Sequence, residues 1–260
     1  METGLVFALS LTLIAGLSTG IGGLISFFIK RDNVKILALG LGFSAGIMIY
    51  VSLVEIIKKA NDSLSISLGE TLGEWITLVA FFIGIIVTAI VDKILPDNIN
   101  QDNICLENQA GCKMHRMGIF VAIAIAIHNF PEGLATFMAG MSDAALGISI
   151  AFAIAVHNIP EGIAVAMPIY NATNSRKKAF FYSLLSGLAE PLGAIIGFFL
   201  FRSLFNDLTF GILFAFVAGI MIYISFDELL PSAKEYGNGH IEILGVTLGM
   251  LVMWVSLIIL

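Results

Sequence analysis

Two copies of a six-residue motif, His-Asn-x-Pro-Glu-Gly, begin at His128 and His157, and both lie within long apolar segments. Imidazole and carboxylate groups bind zinc, iron(II), manganese, cobalt and nickel, and the asparagine amide offers a harder oxygen ligand. Ionisable side chains within membrane-spanning helices are energetically costly and usually serve a function. The duplicated motif therefore predicts a transition-metal site inside a bilayer.

Helical spacing brings the polar side chains of each motif to one side of its segment. Glu132 follows His128 by four residues and Asn129 by three, so the three side chains share one helical face. The second motif repeats this spacing. If the two helices face each other, the imidazoles meet at one point and the Asn amides at another, and both carboxylates reach either point. We therefore expect two metal positions bridged by glutamates. The predicted ligands are His128, Asn129, Glu132, His157, Asn158 and Glu161.

Glu190 is a further predicted metal ligand. It lies in the segment Gly187-Leu-Ala-Glu190-Pro191, where the proline predicts another kink. Three carboxylates and two divalent cations leave a small net positive charge, which a low-dielectric site holds more easily than three unpaired carboxylates. The alternative is a protonated carboxyl group that is hydrogen-bonded to the backbone.

Other residues with metal-binding chemistry have two interpretations each. Met48 is either a soft ligand or a packing residue, and its recurrence as Met221 is typical of packing. Glu55, Asp227 and Glu228 lie at predicted helix ends near the membrane surface. There they act either as solvated caps or as a relay of carboxylates along the exit path.

A small group of residues lies in the longest predicted loop. Cys105, Cys112 and His115 could form a weak metal site, but C-x6-C is not a recurrent zinc spacing, so we interpret the thiols as bystanders. Asp92, at the start of this loop, is predicted to be a solvated helix end.

The rest of the chain must hold these motifs in a membrane. Of its 260 residues, 58% are hydrophobic and 12% are charged, and the mean hydropathy is +0.97. A soluble domain has about 25% charged residues. A membrane-spanning helix needs about 20 apolar residues, and eight runs approach or exceed that length. These runs are 5–29, 36–57, 75–91, 117–139, 146–169, 179–201, 210–230 and 241–260.

The eight runs are apolar on every side, whereas the strands of a membrane β-barrel alternate in polarity. We therefore predict an all-α, polytopic protein of the cell membrane, with a single transmembrane domain over residues 1–260. The first run is longer than the core of a signal peptide, so we expect it to remain as a helix.

Basic residues are distributed unevenly between the two sets of loops. Loops after odd-numbered runs contain ten of the 13 Lys and Arg residues, and the other loops contain three. By the positive-inside rule the first set is cytoplasmic, which places both termini outside the cell and the connection at about 92–116 inside. The net charge of −6 and the lack of a dense basic cluster in the sequence argue against binding to nucleic acid.

Internal repeats relate the runs in pairs. Ala45-Gly-Ile-Met-Ile-Tyr50 in the second run recurs as Ala218-Gly-Ile-Met-Ile-Tyr223 in the seventh, a weaker likeness relates the first and sixth, and the motifs relate the fourth and fifth. An odd number of crossings separates the members of each pair, so they run in opposite directions. This 3+2+3 inverted repeat is typical of secondary transporters, whose substrate site lies near the midplane. Pro131 and Pro160 are predicted to kink the two central helices beside the polar residues, because each removes one backbone hydrogen bond.

On these residues the sequence resembles the ZIP family of metal transporters (Zrt/Irt-like proteins), and within it the bacterial ZupT-type branch. The two motifs and the segments 45–48, 52–55, 187–190 and 227–229 match the family in order and spacing. The resemblance implies an eight-helix homodimer that moves metal into the cytoplasm by an elevator-like movement of part of the bundle. Many members also have a His-rich loop after the third helix, and only His115 occupies that region here, so metal sensing by the loop is in doubt.

The resemblance also implies two kinds of metal position. The zinc-type position would consist of His128, Glu132, His157 and Glu161, and the iron-binding position of Asn129, Glu132, Asn158, Glu161 and Glu190.

The leading functional hypothesis is a transporter that carries zinc, iron(II) and related cations such as manganese, cobalt and cadmium. Its partners would be metal ions, the lipid bilayer and a second copy, and it would need no resident cofactor. The alternative is an intramembrane metal-dependent hydrolase, in which bound zinc activates water. Two equivalent glutamates leave no dedicated base and the H-E-x-x-H motif does not occur, so we predict that the protein is not an enzyme. A non-conducting metal sensor is disfavoured by the inverted repeats.

Overall fold

The computed structural model describes residues 2–28, 34–94, 109–142, 144–201, 206–237 and 239–259, which are helical apart from short turns. Within these ranges, eight helical segments are long and apolar enough to cross a membrane, which confirms the predicted all-α membrane fold. The helices are α1 (Glu2–Ile25), α2 (Val34–Tyr50), α3 (Ile57–Leu68), α4 (Glu70–Ile94), α5 (Gln109–Ser142), α6 (Ala144–Thr173), α7 (Arg176–Gly187), α8 (Ala189–Phe201), α9 (Asp207–Tyr223), α10 (Leu230–Tyr236) and α11 (Ile241–Ile259).

Short π-helical segments, Val51–Ile56 and Ile224–Leu229, join α2 to α3 and α9 to α10. Each follows one copy of the repeated Ala-Gly-Ile-Met-Ile-Tyr sequence. The hydroxyl of Ser52 donates to the carbonyl oxygen of Met48 at 2.6 Å, and that of Ser225 donates to Met221 at 2.7 Å. A hydroxyl that binds the carbonyl four residues earlier competes with the helical amide, which favours a local change of helical pitch. The sequence repeat is therefore also a repeat of local structure, and its inverted orientation stays a prediction.

The second spanning segment, Lys35–Leu68, continues beyond its predicted end at residue 57. Lys58 and Lys59 therefore lie in α3 and not in a loop. Ala60 and Leu64 are fully buried and give α3 an apolar face, so tertiary packing extends the helix past the apolar run.

The predicted connection at 92–116 is also shorter in the structure. Asp92 and Lys93 belong to α4, and α5 begins at Gln109, so Lys113 and Arg116 are helical.

The predicted kinks of the two central helices at Pro131 and Pro160 stay a prediction. Helices α5 and α6 remain helical through Pro131 and Pro160, because neighbouring helices can compensate for the one hydrogen bond that a proline removes. The sixth spanning segment has a break in its helix at Leu188, between α7 and α8.

The helices pack in two groups. Helices α1, α5, α6, α7 and α8 form what we call the motif bundle, and α2, α3, α4, α9, α10 and α11 form the frame bundle. The two bundles meet mainly through α2 and α6, where Leu41 and Met48 of α2 share an apolar core with Val165 and Met167 of α6. Both motifs thus lie in one bundle, and an apolar contact separates that bundle from the other.

Candidate metal centre

Helix α5 carries the first motif into the interior of the motif bundle. His128 and Asn129 are fully buried, and Glu132 is 5% exposed. Because the helix continues through Pro131, the one-turn spacing of the motif is preserved. The first motif therefore presents an imidazole, an amide and a carboxylate to the protein interior.

Helix α6 carries the second motif beside the first. Asn158 and Glu161 are fully buried. The backbone of His157 lies in the same helix, one turn before Glu161, but its side chain falls outside the described part of the structure. Its predicted role as a ligand stays a prediction.

A direct contact joins the two motifs. His128 Nε2 lies 3.0 Å from Glu161 Oε1, and both side chains are fully buried. Zinc ligands lie about 2.0–2.1 Å from the metal, so two tetrahedral ligands are about 3.3 Å apart. The observed separation is close to that value, so one cation could bind both atoms after a small adjustment.

Glu190 reaches the same centre from a third helix, α8. It lies in the first turn of α8, directly after the interruption at Leu188, and is fully buried. Its Oε1 accepts a hydrogen bond from Asn158 Nδ2. The structure therefore brings the predicted third acid against the second motif.

The glycine that ends each motif permits a close approach of neighbouring backbones. A Cβ atom at Gly133 would overlap the carbonyl oxygen of Glu190, and one at Gly162 would overlap the carbonyl oxygen of Thr19 in α1. Small residues allow membrane helices to pack with their backbones in contact. One glycine thus places α8 against α5, and the other places α1 against α6.

Main-chain carbonyls fix the two asparagine amides. Asn129 Nδ2 donates to the carbonyl oxygen of Ser186 at 3.2 Å, and Asn158 Nδ2 donates to that of Ala15 at 3.0 Å. Each amide nitrogen is thus directed to a neighbouring helix.

Four buried oxygens of the centre have no hydrogen-bond partner among the described residues. They are Oδ1 of Asn129 and Asn158 and Oε2 of Glu161 and Glu190. Buried polar atoms are normally paired, and leaving several carboxylate oxygens unpaired in one place is costly. This oxygen-rich set, together with an imidazole, matches the ligands of divalent transition metals.

Sequence reasoning did not identify α1 and Ser186 as parts of the centre. Both contribute main-chain carbonyl oxygens, which every residue possesses. Only the Gly-Leu-Ala-Glu-Pro segment contains a sequence feature that indicates the irregular backbone near Ser186, because a proline follows Glu190.

Met48 is fully buried in the apolar core that α2 shares with α6, and its sulfur accepts a 4.0 Å contact from the Ser44 hydroxyl. This environment is that of a packing residue. Its role as a metal ligand stays a hypothesis.

The predicted pathway acids lie in two places. Glu55 forms an ion pair with Lys59 at 2.8 Å on a partly exposed surface.

Asp227 and Glu228 form a group with Asp92, with one ligand atom from each within 4.8 Å of the others. Asp92 also accepts a hydrogen bond from the Tyr223 hydroxyl at 3.2 Å. Asp92 is partly exposed near the end of α4, so its interpretation as a solvated helix end stays a prediction, and the structure adds two acidic neighbours from the segment Ile224–Leu229.

The Cys/His group is described only in part. Cys105 and the side chain of Cys112 lie outside the described residues, and His115 is buried in α5.

Comparisons with known proteins identify relatives of the whole chain. A family profile described as "ZIP Zinc transporter" matches residues 100–257. The chain is 59% identical to a protein of Chlorobaculum parvum named "Zinc transporter ZupT", over 100% of this chain and 99% of that one. Proteins of the same name from Chlorobium chlorochromatii and Streptococcus mutans are each 55% identical, again over 100% of this chain and 99% of theirs.

Proposed function

Because this chain belongs to the ZIP zinc transporter family, and is thus a multi-pass membrane protein and not an enzyme, we propose that it carries zinc across the cell membrane through the centre between α5, α6 and α8. The observation that carries the proposal is the buried contact between His128 and Glu161, beside which Glu190 and Asn158 converge. A site of this kind is costly in a membrane unless a cation occupies it during its cycle.

We further propose that the centre holds two cations. The zinc-type position would use His128, Glu132, His157 and Glu161, and the second position would use both asparagines with Glu132, Glu161 and Glu190. The unpartnered oxygens of the asparagines and of Glu190 support the second position. Oxygen ligands favour harder cations than imidazole does, so iron(II) and manganese would use this position, and cobalt and cadmium are further substrates.

The proposed movement is a displacement of the motif bundle along the frame bundle. All described ligands lie in the motif bundle, and the contact between α2 and α6 is apolar. An apolar contact has few directional hydrogen bonds to break, so it can shift with a modest energetic cost. Transport would be directed into the cytoplasm, and the functional unit would be a homodimer whose mass in detergent tests this part of the proposal.

Zinc uptake into proteoliposomes that contain a zinc-sensitive dye tests the function. We expect Glu132→Ala and Glu161→Ala to lower the initial rate at least about tenfold, because each removes a shared ligand. Asp62→Ala, which removes an exposed carboxylate of α3, is the matched control and should transport like the parent. The proposal fails if both ligand variants are correctly inserted and retain the parent rate.

A further inference from the structure

A groove on the surface of the frame bundle lies along the seam between α3 and α4, and we call it the α3–α4 groove. It has a volume of about 460 Å³. Lys58, Asn61, Glu74 and Thr77 line one end, and apolar side chains that include Leu53 and Phe82 line the other. Its volume lies in the usual range of sites for small organic ligands.

The polar end of the groove is at the level where the membrane surface is expected. Helix α4 starts at Glu70, and Glu74 and Trp75 lie in its first two turns. Tryptophan and charged residues mark the boundary between headgroups and hydrocarbon. From Glu74 to Phe82 the helix rises about 12 Å, so the apolar end reaches well into the hydrocarbon.

The same polarity gradient runs along α3 and the π-helical segment before it, in the opposite sequence direction. Asn61 Oδ1 lies 3.4 Å from the Thr77 hydroxyl, which sets these two residues at one level. Leu53 is eight residues before Asn61 and therefore lies at the apolar end. Both walls thus change from polar to apolar over the same distance, as a phospholipid does between its headgroup and its acyl chain.

Two opposite charges at the polar end are left unpaired. Neither Lys58 nor Glu74 forms an ion pair or a side-chain hydrogen bond with another described residue, although both line one groove. The neighbouring Lys59 differs, because it pairs with Glu55 at 2.8 Å and does not line the groove. A ligand with one anion and one cation a few bonds apart would satisfy both charges.

We propose that the α3–α4 groove binds a phospholipid with a zwitterionic headgroup that carries N–H donors, of the phosphatidylethanolamine type. Its phosphate contacts the Lys58 ammonium, its ammonium donates to the Glu74 carboxylate, and an acyl chain follows the apolar walls toward Leu53 and Phe82. Phosphatidylglycerol lacks the cation for Glu74. The quaternary ammonium of phosphatidylcholine has no N–H donor, so it makes a weaker contact with the carboxylate.

The test is native mass spectrometry of the full-length protein released from nanodiscs of equal parts palmitoyl-oleoyl phosphatidylethanolamine and phosphatidylglycerol. We expect the parent to retain phosphatidylethanolamine over phosphatidylglycerol with a preference of about two- to fivefold. This is the size expected for partly exposed charge pairs. Lys58→Gln should lower retention of both lipids. Glu74→Gln should abolish the preference, because it removes only the contact with the ammonium.

Lys59→Gln is the matched control and should retain the parent's preference, since Lys59 is the adjacent cation outside the groove. Equal retention of the two lipids by the parent would overturn the proposal, as would a loss of lipid retention in Lys59→Gln equal to that in Lys58→Gln. A dimer in the parent that Lys58→Gln converts to a monomer would also overturn it, because a second copy of the chain would then occupy the groove.

Discussion

At the scale of single residues, the asparagines of the two motifs act in two directions at once. Their amide nitrogens donate to main-chain carbonyls of α7 and α1, and their amide oxygens have no hydrogen-bond partner among the described residues. A fixed amide presents its oxygen with little loss of rotational freedom on binding, which is the advantage of a preorganised ligand. Asn158 also donates to Glu190, so it couples the third acid to the second motif.

Replacement of Asn129 and Asn158 by Ala should lower iron(II) uptake more than zinc uptake. The change removes two oxygen ligands of the proposed second position and leaves the imidazole and carboxylates of the zinc-type position in place. The ratio of iron to zinc uptake in the same proteoliposomes measures this effect, and we expect it to fall about fivefold or more. Equal losses for both metals would contradict the assignment of two positions.

At the scale of elements, glycines bring the helices of the motif bundle within backbone contact. The Gly162 position faces the carbonyl oxygen of Thr19, and Gly133 faces that of Glu190. These approaches hold α1 and α8 at the distances that the hydrogen bonds of Asn158 require. The geometry of the centre therefore depends on positions that bind no metal.

Gly162→Ala should destabilise the protein, because the added methyl group would overlap the main chain of Thr19 and push α1 away. Overpacking of this kind costs about 1–3 kcal/mol. Thermal unfolding in detergent measures the loss. Gly4→Ala is the control, since nothing lies within 4 Å of the position of its Cβ, and equal unfolding temperatures for the two variants would refute the proposed contact.

The π-helical segments give a second prediction at this scale. Ser52→Ala removes the hydroxyl that competes for the Met48 carbonyl, so we expect the segment Val51–Ile56 to become more regular and its amides to exchange more slowly. One hydrogen bond of about 1 kcal/mol corresponds to a change of about fivefold in the amide exchange rate. Hydrogen exchange measured by mass spectrometry reports the change, with the α4 peptides as an internal reference. Faster exchange over this segment would contradict the expected effect.

At the scale of the whole molecule, two bundles share one apolar interface, and the described residues of the proposed centre lie on one side of it. Gly40 of α2 and Ile163 of α6 are close at this interface, since a Cβ at residue 40 would lie 3.3 Å from Ile163 Cγ2. A carrier in which one bundle moves must change such contacts in every cycle.

A disulfide across this interface should therefore stop transport. In a background with Cys105→Ser and Cys112→Ser, the pair Gly40→Cys and Ile163→Cys would place its Cβ atoms within about 5 Å of each other, which a small shift of either helix brings into disulfide range. We expect oxidation to reduce zinc uptake to the level of empty liposomes and a reductant to restore it, while each single-cysteine variant stays insensitive. Full uptake by the cross-linked protein would exclude a relative movement of α2 and α6.

The sequence by itself determined the spanning helices, the two motifs and the third acid, because apolar length and helical spacing are local properties that a chain carries into any packing. The tertiary structure decided what depends on neighbours. Buried Ala60 and Leu64 extend α3 beyond its apolar run, and packing partners keep α5 and α6 helical through their prolines. The Ala15 and Ser186 carbonyls serve the centre without any side-chain signature, and Asp92 meets Asp227 only because α4 packs against α9. These features arise from contacts between residues far apart in the sequence, which no local pattern encodes.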